Sequence, residues 1–180
     1  MTRPTTVVYV ATSLDGYISR PDGGIDWLVP FEDRNVEKRF RQFLATIDAV
    51  VLGRNTFQQV LTFPSWPYGG LPVYLLSRTL KRLPRPTPST VTLRHAAPEE
   101  LLSELHSEHF GRVYVDGGET IRRFLDCDLI DELIITRVPV VLGAGRTLFG
   151  GVSVDLAFRH VSTDIYSTGA VHSAYIRTRT

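Results

Sequence analysis

The feature that most constrains this chain is a set of short, continuous apolar runs, each ending in a glycine or hydroxyl residue where the next segment begins. The clearest are Val50-Val51-Leu52-Gly53-Arg54-Asn55-Thr56, Val73-Tyr74-Leu75-Leu76-Ser77-Arg78 and Val113-Tyr114-Val115-Asp116-Gly117-Gly118-Glu119-Thr120. Runs that are apolar throughout are strands buried on both faces, the pattern of a parallel sheet covered by helices. A strand end that sheds its side chains and passes into a helix leaves backbone N–H groups free at the positive end of the helix dipole. Phosphates bind there. Several such ends on one sheet point to a nucleotide cofactor.

Size and charge narrow the class further. The chain has 180 residues, enough for one substantial core. Its 20 basic and 19 acidic side chains leave a formal net charge of +1, without the basic face that a nucleic-acid module needs. The single cysteine, Cys127, rules out an internal disulfide and a cysteine metal cluster, and an intracellular, cytoplasmic home is expected. The five histidines (His95, His106, His109, His160 and His172) are scattered, so no metal site is expected. Met1–Pro4 carries no apolar leader, and no stretch approaches the roughly eighteen apolar residues of a membrane span.

Along the chain, Thr6–Thr12 is β-branched and aromatic and makes a first buried strand. Ser13–Ser19 and the turn cluster Pro21-Asp22-Gly23-Gly24 read as a loop beside the sheet. From Glu32 to Thr46, Val36, Phe40, Phe43 and Leu44 recur at helical spacing and predict an amphipathic helix. Strands follow at Ala49–Leu52, Pro72–Ser77, Val91–Leu93 and Arg112–Val115, with a short helix over Thr56–Leu61 and a proline-rich surface connection over Lys81–Pro88. Pro98 opens a helix to Leu105 whose Glu99 and Glu100 complement the dipole, and Thr120–Cys127 is another. Glu132–Val141, Leu156–Val161 and Val171–Arg177 are strands with no room for helices between them, so antiparallel pairing closes the sheet. Gly143-Ala144-Gly145-Arg146 and Leu148-Phe149-Gly150-Gly151 lie in a long loop.

In this order the motifs resemble the dihydrofolate reductase-like superfamily, and especially its riboflavin-biosynthesis branch, the C-terminal reductase domain of RibD. The likeness runs over the whole chain, 1–180, as one domain, and implies a three-layer α/β fold: a mixed, mainly parallel sheet with antiparallel C-terminal strands. Val10-Ala11-Thr12-Ser13-Leu14-Asp15-Gly16-Tyr17-Ile18 is similar to the family's first strand and loop, which implies that Ala11 and Ile18 flank a nicotinamide and Asp15 reaches the cleft. Gly53-Arg54-Asn55-Thr56 resembles a Gly-Arg-x-Thr motif in which the arginine reaches an adenosine 2′-phosphate and the threonine holds the diphosphate, and Ser77 with Arg78 completes that pocket. Gly117, Gly118, Glu119 and Thr120 are similar to the glycine turn beneath the diphosphate, with Asp116 in place of a frequent glycine. Thr136 falls where the family has a strand hydroxyl near the substrate.

Two arginines beside free N–H groups suit a doubly charged 2′-phosphate, so NADPH is expected over NADH. Trp27-Leu28-Val29-Pro30-Phe31-Glu32 resembles the Trp-x-x-Pro-x-acid element of dihydrofolate reductases and makes Glu32 the first candidate proton donor. Counting back from Gly53-Arg54 gives Glu37 instead. Trp27, Phe31 and Phe40 are candidates for the apolar wall against the substrate ring. Leu61–Leu71 holds no arginine, where dihydrofolate reductases clamp the folate tail, so dihydrofolate is expected to be a poor substrate. The expected activity is an oxidoreductase carrying hydride from NADPH to a small pterin- or pyrimidine-like heterocycle. The alternative is a nucleotide-binding or dimerisation module without catalysis. Leu156, Phe158, Val161, Ile165 and Tyr166 mark a late edge, and a homodimer is expected there.

Overall fold

The computed structural model describes residues 3–31 and 34–179. Its main sheet has eight strands in the order β5-β4-β3-β6-β1-β7-β10-β9. They are β1 (Thr5–Thr12), β3 (Ala49–Gly53), β4 (Val73–Leu76), β5 (Val91–Arg94), β6 (Arg112–Asp116), β7 (Glu132–Arg137), β9 (Phe158–Ile165) and β10 (Val171–Arg177). The first six in chain order run parallel to their neighbours, and β10 pairs antiparallel with both β7 and β9. The antiparallel C-terminal edge read from the sequence is therefore present.

Alternation within the apolar runs divides the core in two. Val7, Val50, Leu52, Val73, Leu75 and Tyr114 face the side covered by helices α1 (Arg34–Leu44) and α2 (Arg54–Val60), through Phe43, Phe57 and Val60. Their neighbours Val8, Ala49, Val51, Tyr74, Val113 and Val115 face α3 (Pro98–Ser107) and α4 (Gly118–Asp126), through Leu101, Leu105, Ile121 and Phe124. Both faces are covered, so nothing in these strands needs to be polar. Each fully buried side chain of this size stabilises the fold by about 1.5–3 kcal/mol.

Ion pairs staple the end of the sheet where the parallel strands begin. Asp131 holds Arg3 at 2.6 Å and Arg179 at 2.7 Å, Arg112 meets Glu132 at 2.6 Å, and Arg177 meets Asp128 at 2.7 Å.

The structure departs from the sequence expectations in several places. The segments read as loops at Tyr17–Ser19 and near Arg146 are strands β2 (Tyr17–Ser19) and β8 (Arg146–Thr147), which pair antiparallel in a separate two-stranded flap. Strands of three and two residues carry no readable period. Strand β7 ends at Arg137, short of Val141, because Pro139 cannot donate to a ladder. Strand β9 begins at Phe158 and runs on to Ile165, and α2 begins two residues before Thr56. Residues Asp26–Phe31 form a 3₁₀ helix around Pro30.

Candidate functional site

An open cleft of about 1240 Å³ lies across the carboxyl ends of β3, β4 and β6. In parallel sheets that is where ligands bind. Its size exceeds the roughly 300–1,000 Å³ of an ordinary small-molecule site, which leaves room for an extended ligand. Gly53, Arg54, Thr56, Ser77, Arg78, Gly117, Gly118, Glu119, Thr120 and Ile18 all line it, so the structure brings ten of the residues picked from sequence into one space.

The glycines here answer to close packing. A Cβ on Gly53 would stand 2.6 Å from the Thr120 hydroxyl, and one on Gly117 would collide with the Thr56 hydroxyl. Gly117 also has φ of 92°, which disfavours any side chain. The β3 and β6 turns are thereby interlocked, with the N-terminus of α4 opening between them.

At one end of the cleft Arg54 donates to the Thr79 hydroxyl at 3.2 Å, and the Ser77 hydroxyl accepts N–H bonds from Thr79 (3.3 Å) and Leu80 (3.0 Å), ordering the turn that carries Arg78. Neither arginine has a carboxylate within 4.0 Å among the described residues, in contrast with the stapled arginines at the other end of the sheet.

The floor carries a residue that the sequence showed only as a substituted glycine. The Asp116 carboxylate accepts the Tyr68 hydroxyl at 2.6 Å and the Gly117 N–H at 2.7 Å, and both Asp116 and Tyr68 line the cleft. Burial pushes this carboxyl above its ordinary pKa; hydrogen bonds from Tyr68, Gly117 and Tyr114 oppose the shift without cancelling it. Phe40 lies on the same wall.

The remaining candidates stand elsewhere. Trp27 is buried with Val138, Tyr166 and Ala170, and Ala11 and Phe31 pack against that cluster. Thr136 is paired in register with Ala11 on β1 and His172 on β10, and its hydroxyl is 2.8 Å from His172 Nδ1. Burial, reinforced by Arg39, lowers the His172 pKa. None of these four sequence candidates (Ala11, Trp27, Phe31 and Thr136) lines the cleft. The Asp15 carboxylate accepts N–H bonds from Leu142 (3.2 Å) and Gly143 (2.8 Å), and the Ser13 hydroxyl at 2.6 Å, which ties the β1–β2 turn to the segment before β8. Those bonds, led by Ser13, hold its pKa below the ordinary carboxylate value. Glu37 is solvent-exposed on α1, 3.8 Å from Arg41. Glu32 lies outside the described residues. Among the described residues no group of acidic, histidine or cysteine side chains is arranged to hold a metal, and no helix is long and apolar enough to cross a membrane.

Comparison with known proteins agrees with this architecture. An uncharacterised Bacillus subtilis protein, YwjB, is 34% identical over 174 residues, covering 96% of this chain and 97% of its own. A crystal structure of a Shewanella sp. PV-4 protein ascribed to riboflavin biosynthesis superposes with a TM-score of 0.91 at 37% identity, over 97% of this chain and 99% of that one. A dihydrofolate reductase from Enterococcus faecalis shares the fold alone, with a TM-score of 0.67 at 19% identity over 97% of both chains. The interlocked glycine turns sit inside the match to the RibD C-terminal domain model, which spans residues 4–172, and the chain belongs to that family.

Proposed function

We propose that this protein is an NADPH-dependent oxidoreductase that passes hydride to a small pterin- or pyrimidine-like heterocycle. The observation that carries this reading is the pair Arg54 and Arg78, without carboxylate partners among the described residues, at one end of a cleft whose floor holds Asp116. The residues fit the cofactor. Arg54, Ser77 and Arg78 would hold the 2′-phosphate, Thr56 and the backbone of Gly117–Thr120 the diphosphate, and Ile18, which lines the cleft where Ala11 does not, would flank the nicotinamide. Bound NADPH supplies the hydride. Asp116, on the floor of the cleft, keeps a proton on its carboxyl to higher pH than an exposed aspartate does, and would deliver it to the substrate. Phe40 and Tyr68 form the wall against the ring. Asp15 acts on this site by holding the flap.

A screen of NADPH oxidation against a ribosylamino-pyrimidine phosphate, simple pterins and dihydrofolate tests this. Consumption is expected with a pyrimidine or pterin, and only poor turnover of dihydrofolate, because Leu61–Leu71 carries no arginine to clamp its tail. NADPH binding without oxidation of any partner would favour the non-catalytic module.

The same family reading has the chain as a homodimer. Strand β9 is an eight-residue edge on which Val161 and Ile165 are 47% and 75% exposed. Tyr166, also expected on that edge, is instead buried with Trp27, because it turns inward after the strand ends. Light scattering at micromolar concentration is expected to give twice the chain mass, and Ile165→Glu to return the monomer.

A further inference from the structure

The flap carries an arginine that no part of the proposed chemistry uses. Arg146, on β8, is exposed and lines the cleft. Among the described residues its guanidinium makes one polar contact, a long one of 3.5 Å to the Pro21 carbonyl, and it lies over the Asp22–Gly23 turn, 3.8 Å from where a Gly23 Cβ would stand. Among the described residues it has no carboxylate within 4.0 Å, although Asp22 lines the same cleft. Arg122, by contrast, also lines the cleft but is held by Glu119 at 2.7 Å and Asp126 at 3.4 Å.

The position of Arg146 is fixed. Ser19 is its ladder partner on β2, and the neighbouring Ile18 packs so tightly on Gly118 that a Cβ there would strike it. Leu148 donates to the Gly16 carbonyl at 3.1 Å, and Asp15 clasps Leu142 and Gly143. Gln59 of α2 donates to the Gly23 carbonyl at 3.1 Å, so the turn beneath the guanidinium is tied across the mouth of the cleft. The flap, packed on the glycine turn through Ile18, thus brings to the cleft a cation with no carboxylate within 4.0 Å among the described residues.

Resting on the dinucleotide reading above, we propose that Arg146 is a cofactor-binding residue that pairs with a second phosphate group, the diphosphate of the cofactor, from the flap side. A guanidinium is suited to phosphate oxygens, and a charge-assisted contact of this kind sets an affinity difference of about tenfold or more. Unlike the 2′-phosphate pair, it does not distinguish NADPH from NADH.

Titration of Arg146→Gln with NADPH, NADH and adenosine 2′-monophosphate, with Arg146→Lys alongside, tests this. The expected result is a loss of about tenfold or more for both dinucleotides by the same factor, little change for the monophosphate, which lacks the diphosphate, and partial recovery in the lysine variant. Unchanged dinucleotide affinity in Arg146→Gln, with normal binding by the parent protein, overturns the inference and leaves the cofactor assignment standing. Unchanged dinucleotide affinity together with weakened binding of ribose 5-phosphate to the NADPH complex also overturns it, because the cation then meets the substrate's phosphate. Absence of dinucleotide binding by the parent protein overturns the cofactor reading and the inference with it.

Discussion

Replacing Arg54 and Arg78 together by alanine is expected to weaken NADPH by roughly 10²–10⁴-fold while leaving NADH within a few-fold of its original affinity. Each charge-assisted contact to phosphate is worth about 1.5–3 kcal/mol, and two of them reach that range at about 1.4 kcal/mol per decade. The fold does not depend on either side chain, since both are exposed and hold no ion pair among the described residues. Calorimetric titration of both cofactors decides it: an equal loss for NADPH and NADH would remove the 2′-phosphate assignment. The effect should shrink as ionic strength rises, because the arginines lie at an open end of the cleft.

What the sequence disclosed and what it hid have separate physical causes. The parallel strands are legible because burial on both faces forces continuous apolar runs such as Val50–Leu52 and Val73–Leu76, and their ends are legible because close packing forces glycine at Gly53 and Gly117. The phosphate end of the cleft follows from those two facts. The substrate side depends on contacts between distant segments. Trp27 has the look of a ring-stacking residue, yet its neighbours Val138, Tyr166 and Ala170 come from the other end of the chain and enclose it. The flap is hidden for the same reason, since Tyr17 meets Thr147 and Ser19 meets Arg146 in strands too short to show a period. Nor does a sequence say which arginines are paired. Arg112 and Arg54 look alike until Glu132 is found beside the first and, among the described residues, no carboxylate beside the second. Asp116 shows in the sequence only as a missing glycine, and its partner Tyr68 lies forty-eight positions away, so neither its half-buried setting nor its hydrogen bond could be read there.

That acid is the subject of the second large effect. Asp116→Asn is expected to lower turnover by roughly 10²–10⁴-fold, the range for losing a positioned proton donor, with a much smaller change in NADPH affinity. In the parent protein activity should fall as pH rises through the Asp116 pKa, because the proton is then lost, and burial places that limb above the ordinary carboxylate range. The variant should lack the limb. Stability supplies an independent check, and its sign is set by the same shift. A carboxyl whose folded-state pKa is raised favours the fold at low pH and loses that contribution as pH rises from its unfolded value, about 4, through the folded one. Above the folded-state pKa the half-buried charge therefore opposes folding, and the amide, which can still accept the Gly117 N–H, is expected to keep or raise the thermal midpoint there and to confer no gain below about pH 4. A purely structural Asp116 would show the reverse: a lower midpoint at neutral pH, a raised KM, and a pH profile that keeps its limb. Measuring the two profiles on one pair of proteins separates a proton held for the substrate from a carboxylate held only by Tyr68.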